Sequence, residues 1–154
     1  MIPLKIVLLQ LILFVSCSSS DTNAIAQKGQ ADVTKVSTSG SENSYTFFVT
    51  LESPDTGCEQ YADWWEVLSE SGDLIYRRIL LHSHVNEQPF TRSGGAVSIA
   101  QEQVVWVRAH MNNSGYGGKV MKGSVKSGFI SAEFPDNLGE GLDLIDPLPT
   151  GCAF

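Results

Sequence analysis

Basic residues are scarce in this chain: 10 Lys and Arg stand against 17 Asp and Glu in 154 residues, a formal net charge of −7. Without a basic stripe the chain cannot exploit counterion release from phosphates, so nucleic acid is disfavoured as a partner. Cysteine is scarce too. With 3 in the chain and no CxxC or Cys-His spacing, a zinc cluster built on thiolates is excluded. There is no GxSxG and no HExxH, so the usual sequence marks of a hydrolase nucleophile or a zinc protease are missing. No internal repeat and no convincing helical period occur, which removes solenoids and helix bundles. The 42% hydrophobic and 18% charged content is ordinary globular composition, and the length allows one domain.

The N-terminus is the one place with a sustained apolar run. Lys5 precedes residues 6–15, interrupted only by Gln10, and small polar residues follow. Ten residues of helix span about 15 Å, half of a bilayer core, so the segment reads as a secretory signal and not as a membrane span. The residues Phe14-Val15-Ser16-Cys17 resemble the bacterial lipobox, with Phe14 where Leu is usual. That resemblance implies cleavage before Cys17, diacylglyceryl modification of its thiol, and a membrane partner engaged through the lipid. Ordinary cleavage with Cys17 as a bystander is the alternative. The implied location is the cell envelope, at the outer membrane facing either side; Ser18 merely lacks the aspartate that retains some lipoproteins in the inner one.

If Cys17 is acylated, Cys58 and Cys152 are left in an oxidising compartment, where they are expected to pair; two free thiols are the alternative. Loss of Lys5 with the signal makes the mature chain one unit more negative than the full one. The expected organisation is a signal peptide over 1–16, a flexible Ser-, Asn- and Gln-rich tether over 17–30, a β domain over 31–130, and an extended tail over 131–154 held down by Cys152.

Past the tether the apolar pattern has period two. Tyr45, Phe47, Val49 and Leu51 share one face of an extended segment, with Phe48 the exception. Residues 64–68 and 74–81 flank Ser69-Glu70-Ser71-Gly72-Asp73 and read as a hairpin. In 104–111, Val105, Val107, Ala109 and Met111 face one way, while Trp106, Arg108 and His110 face the other. Further short strands are expected over 33–36, over 97–99 after Gly94-Gly95, and over 120–125. About seven short strands with turns between them predict an all-β fold, an immunoglobulin- or fibronectin-like two-sheet sandwich. Its expected core is Phe47, Val49, Leu51, Trp65, Val67, Ile79, Val105 and Val107.

Several segments resemble a family of small secreted bacterial proteins without an assigned activity. They are Ser53-Pro54-Asp55-Thr56-Gly57-Cys58, Tyr61-Ala62-Asp63-Trp64-Trp65-Glu66, His82-Ser83-His84-Val85-Asn86-Glu87-Gln88-Pro89-Phe90 and Arg108-Ala109-His110. The resemblance implies a class of molecule and no mechanism.

One chemical lead comes from the histidines. At i and i+2 of a strand, His82 and His84 would share a face, and a neighbouring strand could bring His110 beside them. Three imidazoles suit Zn²⁺ or Cu²⁺, with Glu87 orienting a ring from behind; hydrogen-bonded loop histidines are the plainer reading. His110-Met111 with Met121 resembles only the opening of a periplasmic copper-chaperone motif, and strand alternation would put Met111 on the core side. Asp55, Glu59, Asp63 and Glu66 could bind Ca²⁺ or serve as paired carboxylates, although such a cluster is ordinarily just solvated. Ser83 cannot be activated by its sequence neighbours, because they face away from it. Trp64 and Trp106 point outward and would suit a sugar or protein platform, unless a loop covers them. The reading that follows is a non-enzymatic, envelope-anchored binding module for a protein or carbohydrate ligand, with no cofactor; a zinc or copper protein using His82, His84 and His110 is the alternative.

Overall fold

The structure, a computed structural model, describes residues 29–153. The signal peptide, Cys17 and nearly all of the tether lie outside the described residues. Eight strands follow in order: β1 (Asp32–Ser41), β2 (Ser44–Glu52), β3 (Ala62–Ser69), β4 (Leu74–Ile79), β5 (Phe90–Val97), β6 (Val105–Met111), β7 (Val120–Ser124) and β8 (Gly128–Ala132). They form two antiparallel sheets, β1-β2-β5 and β4-β3-β6-β7-β8. The expected all-β sandwich is present, with one strand more than the period-two pattern marks.

Alternation along β2 buries Tyr45, Phe47, Val49 and Leu51 and turns Phe48 outward. Those side chains meet Trp65, Val67, Val105, Val107, Ala109 and Met111 from the other sheet in one contiguous core. Ile79 is the exception among the expected core residues. It lies opposite Trp64 on the outer face and is half-buried, while Leu80, the next residue, takes the inward place. The strand expected over 97–99 lies earlier: β5 ends at Val97, with Gly94 and Gly95 inside it. A Cβ at Gly94 would come within 2.7 Å of the Tyr76 hydroxyl and 3.0 Å of the Trp65 ring, so the missing side chain makes room for these two aromatics beneath β5.

The C-terminus is extended apart from turns, among them one 3-10 turn at Leu142–Leu144, and the expectation left open where it lies: residues 133–153 fold back as a strap across the outer face of the five-stranded sheet. Phe134, Leu138 and Leu142 pack with Leu68, Leu74, Trp106 and Val120. At Gly72 (φ +90) the β3–β4 turn passes so close to the strap that a Cβ would lie 2.7 Å from the Gly139 nitrogen. The strap ends where Cys58 and Cys152 are joined, as the cysteine count suggested, and where the Ala153 N–H donates to the Leu81 carbonyl. An antiparallel sheet can leave one face wet. Here β6 is buried at every position, because on the face that the small sheet does not cover the strap lies over Trp106 and Arg108, while Trp64 and Tyr116 pack against His110.

Candidate functional site

Beneath the strap, three strands place opposite charges side by side. Cross-strand pairing sets Glu66 of β3 directly between Arg77 of β4 and Arg108 of β6. Arg77 Nε donates to Glu66 Oε2 at 2.8 Å, and Arg108 Nε donates to Oε1 at 2.7 Å. The Glu66 side chain is 0% exposed. One carboxylate between two guanidiniums leaves a surplus positive charge away from water, which is costly unless the remaining donors are satisfied. The strap satisfies them. Arg77 donates to the carbonyls of Leu142, Ile145 and Pro147, and Arg108 to that of Gly139. Residues 133–146 also carry Glu133, Asp136, Glu140, Asp143 and Asp146 and no basic residue, so the strap's sign matches the surplus.

Aromatic rings continue the row. Trp64 lies face to face with His110 at 3.6 Å between centroids, and the Arg77 guanidinium covers Trp64. Arg108 lies 3.6 Å above Tyr116 and 5.0 Å from Phe134. The Trp64 indole N–H donates to the Tyr116 oxygen at 3.3 Å. Burial, with the Glu66 carboxylate nearby, pushes the Tyr116 phenol up to about 12, so it stays protonated across the physiological range. His110 Nδ1 lies 2.7 Å from Asp63 Oδ1. Since an ionised carboxylate only accepts, the ring proton sits on Nδ1.

Between the β6–β7 connection and the strap opens a cleft of about 560 Å³. Arg108, Tyr116 and Phe134 line its inner part; Lys119, Asp136, Asn137 and Glu140 are among its outer residues. The lining offers donors, acceptors and ring surface together. Its charges are mixed in sign, with Lys119 already facing Asp32 at 3.3 Å.

The histidines expected to converge do so only in part. His82 and His84 lie in the β4–β5 connection, outside any strand, with ring centroids 4.6 Å apart. His84 is 4% exposed and stacks on Phe90 at 3.8 Å, and its backbone N–H donates to Asp55 Oδ2. Neither of its ring nitrogens has a hydrogen-bond partner. Burial first, then the Arg92 and His82 charges, holds its pKa below the ordinary histidine value. His110 does not join the pair, since its ring is taken by Asp63 and Trp64. Among the described residues no group of three or more His, Cys, Asp and Glu is placed to hold a metal ion. Glu87 orients no imidazole; its carboxylate accepts two hydrogen bonds from Arg92. Met111 fills the core, on the face away from His110.

The acidic residues between Asp55 and Glu66 are not a solvated cluster. Asp55, Asp63 and Glu66 are buried and separately engaged: Asp55 by the Ser53 hydroxyl and the Ala62 and His84 N–H groups, Asp63 by His110, Glu66 by two arginines. Only Glu59 is exposed. Trp64 and Trp106 do project from the outer face, yet the strap covers Trp106 while His110, Arg77 and Tyr116 cover Trp64, so neither forms an open platform. Sequence reasoning missed Arg77, Tyr116 and the strap. The available signal was Arg108 standing mid-strand between two outward aromatics, Trp106 and His110, a position that favours a buried partner over open water.

Over 101 residues, 66% of its length, the chain is 42% identical to a protein of Halomicrobium mukohataei (strain ATCC 700874 / DSM 12286 / JCM 9738 / NCIMB 13541) named "Putative lipoprotein". A lipoprotein by name is thus a relative. The match covers 49% of that protein, so the chain spans about half the length of the relative it matches. No protein-family model and no solved structure matches the chain.

Proposed function

We propose that this protein is a lipid-anchored, non-enzymatic binding module of the cell envelope, attached at the outer membrane through acylated Cys17. It presents the cleft between the β6–β7 connection and the strap to a protein or carbohydrate ligand. The observation that carries the binding role is the cleft itself. Its volume of about 560 Å³ falls in the range of small-ligand sites, and its inner surface is fixed by the Glu66 bridge and the strap carbonyls. Preformed walls spare a ligand the cost of ordering them. The non-enzymatic reading draws on Glu66, whose two carboxylate oxygens are each taken by an arginine, and on Asp63, whose Oδ1 is held by the His110 ring. The anchor reading draws on Phe14-Val15-Ser16-Cys17 and on the relative's name.

Two variants test the two halves. Cys17→Ala should abolish labelling by radioactive lipid precursor and release the chain from membranes; a variant still labelled and membrane-bound contradicts the anchor. Asp136→Trp, an exposed rim substitution that fills the cleft, should abolish retention on immobilised envelope glycans or proteins that hold the parent chain. Equal retention of both contradicts the cleft as the binding site.

A further inference from the structure

Four strands stand at sheet edges, and three of them are defended. β1 carries the exposed Lys35 and a register shift between Val33 and Lys35. The edge of β5 is capped from the other sheet, where Arg78 Nε donates to the Ser93 carbonyl. β4 carries Arg77 and Arg78 in succession. Charges, bulges and capping groups are the devices that keep an edge from pairing with another chain. β8 has none of them. Its five residues, Gly-Phe-Ile-Ser-Ala, include no charge and no proline, and its pairing with β7 has no register shift. Ile130, at its centre, is 72% exposed.

We propose that β8 is a self-association edge and that its partner is β8 of a second copy of this chain. The strand is self-complementary in antiparallel pairing about Ile130. That register sets Ile130 against its counterpart, Phe129 against Ser131, and Gly128 against Ala132, with no buried charge on either side. Ile130 lies opposite Lys122 of β7, and the Lys122 ammonium is drawn away toward Glu70 at 3.0 Å and toward the Trp106 ring. The approach of a second isoleucine is therefore unobstructed by that charge. Phe129 already packs edge-on against Phe47 on the core side, which holds β8 in place before a partner arrives. Pairing joins the two five-stranded sheets of the copies into one continuous sheet by a two-fold axis, the closed symmetry that most homo-oligomers adopt. The interface goes beyond the cleft and does not depend on it. Five paired residues make a small interface, below the area typical of permanent dimers, so association is expected to be reversible.

Oxidative cross-linking of the purified full-length chain, with the Cys58–Cys152 bridge intact, tests the register directly. Directly opposed residues of antiparallel strands sit about 4.5–5.5 Å apart, within disulfide reach. Ile130→Cys should give a covalent dimer, while Lys126→Cys, exposed but beyond the strand, should give none. Ile130→Lys places like charges opposite one another and should weaken association at least about tenfold in sedimentation, with the thermal unfolding midpoint unchanged. No dimer from Ile130→Cys, or equal dimer from both cysteine variants, overturns the proposal. So does association that Ile130→Lys leaves intact.

Discussion

Glu66 is the residue on which the outer face depends. Replacing it by Gln keeps its shape and removes the charge between Arg77 and Arg108, leaving two buried guanidiniums to face each other. Breaking a buried pair in this way costs about 3–5 kcal/mol. Urea unfolding of Glu66→Gln should show that loss, whereas a loss below about 1 kcal/mol, the worth of a surface pair, would mean that water reaches the row. His84 supplies a pH dependence with a definite sign. Its folded pKa is depressed below 6.5, the value it recovers on unfolding, so between the two the unfolded chain binds more protons. Stability is therefore full above pH 6.5 and declines as pH falls toward the folded value. Denaturation midpoints at pH 7.5 and about 5.5 should differ in the parent chain, and the difference should shrink in His84→Leu. An unchanged difference would place the titration elsewhere.

At the scale of elements, the strap's attachment is the feature to perturb. The Cys58–Cys152 bridge closes a separation of 94 residues, and in the chain-entropy account loss of a native bridge costs about 2–5 kcal/mol. Cys152→Ser should lower the urea midpoint accordingly while the far-ultraviolet spectrum stays that of a β protein. Near-ultraviolet dichroism should change more, since Trp106 meets the Phe134 ring of the strap edge-on at 5.2 Å. A spectrum unaltered in the near ultraviolet would mean that the strap stays seated without its bridge. β2 and β6 were legible in the sequence because each carries one apolar stripe of period two. β8 was not, because Phe129 packs inward while Ile130 stays in water, and a strand of five residues has no room for a pattern. The strap was illegible for another reason. Besides its apolar contacts and its bridge it is held by arginine donors reaching its backbone carbonyls, and a carbonyl has the same appearance in every residue. The site was legible to the same degree: alternation put Trp106, Arg108 and His110 on one face, and only the strap, with the Trp64 and Tyr116 rings against His110, explains why that face is dry.

For the whole molecule, the strap turns a two-layer sandwich into one whose larger sheet is covered on both sides. The cleft opens where that cover leaves the sheet, between residues 131–143 and the β6–β7 connection. A sandwich fold alone does not imply a function, so the proposed binding role rests on this cleft. Amide chemical-shift mapping of the ¹⁵N-labelled mature chain, titrated with solubilised envelope glycans and with envelope protein fractions, tests it most directly. The account predicts saturable shifts at Arg108, Tyr116, Gly117, Gly118, Phe134 and Asn137, with β1, β2 and β5 unmoved. Saturable shifts confined to the three-stranded sheet or to the His82–His84 connection, with the cleft amides unchanged, would contradict it.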